Sequence, residues 1–146
     1  MSGESGAIPA PYVLDASVLI AVARGDTSVM ILLQELDASG RPLILPALAV
    51  TGASLDMRSD EAAELPEGIG RLGNAITAPL RDAGQAAQLA AVIAKTGLDP
   101  WDAHVAAVAH VSVCAILTLD GAKWRHHAQD LDEPLYFIEI DEPDES

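Results

Sequence analysis

Positive charge is scarce in this chain. Eight Lys and Arg stand against 22 Asp and Glu in 146 residues, for a net charge of −14 at neutral pH. Binding to a phosphate backbone draws on clustered Lys and Arg, so on charge alone the chain does not read as a nucleic-acid binder. Cysteine is nearly absent. Cys114 stands alone, which excludes an internal disulfide framework and leaves a small side chain expected in the core. Aromatics are only 3% of a chain that is 50% hydrophobic, so the core must be built from Ala, Val, Leu and Ile. Long apolar runs are missing too. The stretch from Val105 to Leu119 carries no Asp, Glu, Lys or Arg, but His110 and small polar residues interrupt it too often for a membrane span. Ser2 to Pro11 is polar and contains Glu4, unlike a cationic secretory leader, and a cytoplasmic protein is expected.

What is present is enough for one domain with a substantial core. The expected core spans about residues 12–140, between a flexible start at 1–10 and an acidic tail at 141–146. Eight acids and no Lys or Arg lie from Asp130 onward, leaving −6 for residues 1–129. The one local basic group is Lys123, Arg125, His126 and His127. It would serve either as a phosphate contact or simply as the exposed face of a short helix.

Strand and helix signals alternate. Tyr12–Leu14 reads as a strand running into a helix from near Ser17. Gly25-Asp26-Thr27 breaks that helix and caps a second one, from Ser28 to about Ala38, stopped by Ser39-Gly40. Pro42–Pro46 reads as a short strand and Ala47–Met57 as a helix. Asp60–Glu64 is a short helical stretch, after which Pro66, Gly68, Gly70 and Gly73 are expected to fragment the chain. Ala75–Leu80 is strand-like, and Ala83–Lys95 and Pro100–Val111 are helices, the latter with Asp99 as N-cap and Pro100 at its first position. A strand at Cys114–Leu119, a short helix at Ala122–Ala128 and a strand at Leu135–Ile140 follow. The alternation predicts a three-layer α/β/α sandwich with a mainly parallel sheet of about four to five strands.

Three aspartates dominate the chemistry. Asp15 closes the first strand, Asp120 closes the strong late strand Ala115–Leu119, and Asp102 lies in the first turn of the helix before it. Such strand ends meet at the carboxyl edge of a parallel sheet, where α/β proteins bind ligands. Clustered carboxylates repel unless a cation sits among them, and oxygen-only donors suit Mg²⁺ or Mn²⁺. Each also has a plain structural reading. Asp15 would be a helix N-cap, Asp102 an acid favoured by the helix dipole, and Asp120 a turn residue. His104 stands two residues from Asp102, facing elsewhere on the helix, and is expected at the edge of the core. Trp101 and Trp124 would either stack on a base or anchor their helices, anchoring being the commoner use.

Val13-Leu14-Asp15-Ala16-Ser17, Asp99-Pro100-Trp101-Asp102-Ala103-His104-Val105-Ala106-Ala107 and Leu117-Thr118-Leu119-Asp120, in this order, resemble the conserved segments of PIN domains. They are most similar to the VapC-like toxin ribonucleases. The resemblance implies a Mg²⁺- or Mn²⁺-dependent endoribonuclease, the toxin of a toxin–antitoxin pair. Asp15, Asp102 and Asp120 would be catalytic metal ligands, supported by the hydroxyls of Ser17 and Thr118, with Lys123 and Arg125 contacting substrate. It further implies an RNA substrate, a homodimer and a small basic antitoxin in the acidic groove. In one respect the chain departs from the family pattern. The fourth acid expected some six residues after Pro46 falls at Gly52, and Asp56, one turn further on, is the nearest substitute. That gap supports an alternative, a degenerate and catalytically impaired PIN domain acting as a protein-binding module.

Overall fold

A computed structural model describes residues 9–55, 59–131 and 135–140, with backbone only for 59–63. Asp56 and the acidic tail lie outside the described residues. Five strands, β1 (Tyr12–Leu14), β2 (Leu43–Pro46), β3 (Ala75–Ala78), β4 (Ala115–Thr118) and β5 (Phe137–Glu139), form one sheet in the order β3-β2-β1-β4-β5. Every pairing is parallel. The helices are α1 (Ala16–Ala23), α2 (Thr27–Ala38), α3 (Ala47–Leu55), α4 (Ser59–Ile69), α5 (Ala83–Thr96), α6 (Pro100–Ser112) and α7 (Gly121–Ala128). The strand order reverses at β1, which lies between β2 and β4. Its C-terminal end is therefore the switch point where such sheets open a crevice.

The core is aliphatic, as the composition requires. Val13, Leu14, Val18, Leu19, Leu33, Leu43, Leu45, Val105 and Ile116 are fully or almost fully buried, and Cys114 is buried with them. The apolar face of α1 is consumed inside the fold, where the helix packs on α2, α3 and α4. No single helix is long and apolar enough to cross a membrane among the described residues.

One stretch departs from expectation. Pro66 and Gly68 do not fragment the chain, and α4 runs through both to Ile69. Leu65 is buried to 1% exposure, and a Cβ built on Gly68 would come within 2.8 Å of Val22 Cγ1. Gly68 thus marks the close approach of α4 to α1, where burial outweighs its poor helix propensity of about 1 kcal/mol.

His104 is buried on α6, and its Nδ1 accepts a hydrogen bond from the Leu48 backbone N–H at 3.2 Å. That N–H belongs to the first turn of α3, so the histidine caps a neighbouring helix across the fold. Burial lowers the His104 pKa below its usual 6.5 by desolvating the charged ring, and the neutral ring is the form that can accept the bond. The unfolded chain then binds more protons than the folded one below about pH 6.5. Folding stability should hold above that pH and fall on acidification, with a limiting slope of about 1.4 kcal/mol per pH unit. Urea denaturation of native protein and His104→Gln between pH 8 and 5 measures it. The glutamine variant should lack this component of the slope.

Candidate active site

The three aspartates occupy different environments. Asp15 is wholly buried at the end of β1. Its Oδ1 accepts from Ser17 Oγ at 2.5 Å and from the Val18 N–H at 3.2 Å, which makes it the N-cap of α1. Its Oδ2 accepts from Thr118 Oγ1 at 2.6 Å and from Trp124 Nε1 at 2.8 Å. A carboxylate offers about four lone-pair sites, so four protein donors leave none over.

Both hydroxyls are oriented from behind. Ser17 Oγ accepts from the Leu119 N–H at 2.9 Å, and Thr118 Oγ1 from the Asp120 N–H at 2.8 Å. Each hydroxyl then has its proton free for Asp15. The backbone after β4 thus reaches the carboxylate through two relays, tying the ends of β1 and β4 together.

Asp102 is 5% exposed in the first turn of α6. Burial raises its pKa above the usual carboxylate value, and Lys123, the next strongest influence, opposes the rise. Lys123 Nζ lies 3.1 Å from both Asp102 oxygens and 3.9 Å from Asp15 Oδ2. Asp120 is exposed, and its Oδ1 accepts from the Lys123 N–H at 3.3 Å as the N-cap of α7. Among the described residues, no three His, Cys, Asp or Glu side chains are grouped so as to hold a metal ion.

Gly52 is buried on α3, and a Cβ there would lie 2.4–2.7 Å from Trp101 Cγ, Cδ2 and Cβ. The space an acidic side chain would need is filled by the indole that precedes Asp102. Trp124 is fully buried, so the anchoring use holds for it, with its N–H spent on Asp15. Arg125 lies 3.7 Å from Glu139 and over the Phe137 ring, and His127 is 3.6 Å from Asp130. Arg125 stays 61% exposed beside its carboxylate, His127 Nδ1 makes no hydrogen bond, and Lys123 points at Asp102. Its target was hidden in the sequence, because the two residues are 21 apart with a strand between them.

The PIN domain family model matches residues 12–129. The chain belongs to the PIN domain family. No curated protein matches it in sequence. Among solved structures, this PIN domain is similar to VapBC2 from Rickettsia felis, crystallised with a DNA fragment from its promoter. The TM-score is 0.62 at 11% identity, over 89% of this chain and 98% of that one. It is also similar to PAE2754 from Pyrobaculum aerophilum, with a TM-score of 0.52 at 23% identity over 80% of this chain and 85% of that one. At these identities the likeness is one of fold.

PIN domains generally depend on a divalent metal, so the donor set can be tested against one. Mg²⁺ requires oxygen donors at about 2.0–2.1 Å in near-octahedral array. Here Asp15 has no free lone pair, Asp102 faces an ammonium, Asp120 caps a helix and position 52 has no side chain. The residues as arranged do not fit a divalent ion.

Proposed function

We propose that this PIN domain is the toxin-type partner of a toxin–antitoxin pair that works by binding a basic protein segment, its carboxylate site being catalytically impaired. The observation that carries the reading is the saturation of Asp15 by Ser17, Val18, Thr118 and Trp124. A metal ligand needs a lone pair facing the ion, and breaking a buried charge-assisted hydrogen bond to supply one costs about 1.5–3 kcal/mol. The net charge of −14 favours a basic partner, which electrostatic complementarity would steer and select. The VapBC2 likeness supports an antitoxin as that partner.

A second reading retains one observation. Asp15 and Asp102 converge on a single atom, Lys123 Nζ, as two carboxylates of a metal-dependent ribonuclease would converge on Mg²⁺ or Mn²⁺. In that reading Asp15, Asp102 and Asp120 hold the ion, Ser17 and Thr118 support them, and RNA is the substrate.

Calorimetric titration with Mn²⁺ separates the two readings, comparing native protein with Asp102→Asn. The binding-module reading expects no heat of binding up to about 1 mM, a binding free energy weaker than about −4 kcal/mol. Micromolar binding that collapses in Asp102→Asn overturns it and points instead to the ribonuclease.

A further inference from the structure

Lys123 is the third residue of α7, counted from its N-cap Asp120. The N-terminal turn of a helix carries partial positive charge, so a cation there is disfavoured by its own helix. Nothing local explains its placement; the partners across the fold do. The ammonium lies 3.1 Å from both oxygens of Asp102, 3.9 Å from Asp15 Oδ2 and 5.3 Å from the centre of the Trp124 ring. Its side chain is 23% exposed and those of Asp102 and Asp15 are 7% and 0%. Two buried carboxylates and an aromatic face therefore converge on one nitrogen.

That nitrogen occupies the position from which a cation serves both carboxylates. A lysine ammonium is a compact point charge on a flexible stem, with three donors it can direct separately. Two are accounted for by the even contact with Asp102. At 3.9 Å the contact with Asp15 is Coulombic, and Asp15 has its hydrogen bonds from elsewhere. A divalent ion coordinated by Asp102 on this side would stand against the ammonium, a like charge, and could enter only by displacing it.

We propose that Lys123 is the resident cation of this site, a covalently attached replacement for the divalent ion on which other PIN domains depend. The inference rests on the reading of the site as catalytically impaired and gives its cause. Impairment then arises from occupancy as well as from the missing acid at Gly52. Removing the ammonium should uncover a latent, weak ion site built on the two Asp102 oxygens that it now occupies.

The test is Mn²⁺ titration and thermal unfolding of the full chain as native protein, Lys123→Met, Lys123→Gln and Lys123→Arg. The expected result has four parts. Native protein and Lys123→Arg show no binding. Both neutral variants bind Mn²⁺ at least ~10-fold more tightly than native. They melt lower than native in metal-free buffer, and they alone are raised by Mn²⁺, because only they gain a ligand. If a neutral variant is unfolded without metal, recovery of its fold in Mn²⁺ supports the proposal and failure to recover counts against it. Neutral variants that match native protein in both binding and melting overturn the proposal while leaving the binding-module reading intact. Micromolar Mn²⁺ binding by the native chain, lost in Asp102→Asn, overturns both.

Discussion

Asp15→Ala should lower the stability of this domain by about 3–5 kcal/mol, the scale for removing one member of a buried charged network. Four donors lose their acceptor together. The Val18 N–H and the Trp124 indole N–H have no alternative partner at their present positions, while the hydroxyls of Ser17 and Thr118 can at best turn toward each other across 3.4 Å. Loss of the α1 N-cap alone costs about 1 kcal/mol, and each buried donor left unsatisfied adds about 1–3 kcal/mol, less than additively. Against a total stability of about 5–15 kcal/mol, that is a large fraction, and the urea midpoint of the variant should fall well below that of native protein. Asp15→Asn separates structure from catalysis more sharply. Its amide keeps the volume but turns one acceptor into a donor facing Thr118 Oγ1 and Trp124 Nε1. A stability loss of about 2 kcal/mol is expected, read from the urea midpoint by tryptophan fluorescence in a Trp101→Phe background, where Trp124 is the one remaining indole. If Asp15→Asn unfolds at the native midpoint, the carboxylate is not a structural keystone.

The second large effect concerns Gly52, where the family pattern would place an acid. Restoring it as Gly52→Glu should destabilise the protein by at least about 3 kcal/mol, since the new side chain drives into a packed indole and buries a charge without a partner. Gly52→Ala isolates the steric part. The helix-propensity gain of about 1 kcal/mol is set against an overpacking cost of about 1–3 kcal/mol, because all three nearest Trp101 atoms lie within 2.7 Å of the added methyl. A double-mutant cycle with Trp101→Ala tests the contact. Gly52→Ala should be destabilising with Trp101 present and stabilising without it, a coupling of about 1–3 kcal/mol. Additive effects would mean that the glycine and the tryptophan are independent.

The architecture was legible because it is carried by local signals. Short apolar runs ending in Asp15 and Asp120, Asp99-Pro100 opening α6 and Gly97 closing α5 in a left-handed conformation each announce an element without reference to the rest of the chain. The alternation of those elements left little choice but a parallel sheet. What could not be read was pairing at a distance. Gly68 looked like a breaker because its value lies in a contact with Val22, on a helix more than 40 residues earlier. Lys123 and Arg125 read as substrate contacts because positive charge after a strand end is visible in sequence, whereas the carboxylates beside them, Asp102 and Glu139, are not. Asp15 and Asp120 had both a structural and a chemical reading from the start. Both serve as N-caps, and an N-cap carboxylate has the same sequence signature as a metal ligand at the same sheet edge. Gly52 showed in sequence only as a missing acid. Its partner Trp101, 49 residues away, makes it a packing position.

The sheet's strand order also has a temporal meaning. β1 leaves the ribosome before the other strands of the sheet, yet it lies in the middle, and its second neighbour, β4, begins about a hundred residues later. Asp15 waits even longer, since its last donor is the indole of Trp124. Until that residue emerges, the Asp15 carboxyl group lacks its indole donor, and water is the partner available to it in the nascent chain. Pairings of such sequence separation form slowly, because the loop-closure entropy precedes the gain from contact. The lock on Asp15 is therefore among the last events of folding, and chains halted before residue 124 should be sensitive to protease at β1 and α1 while longer ones are protected.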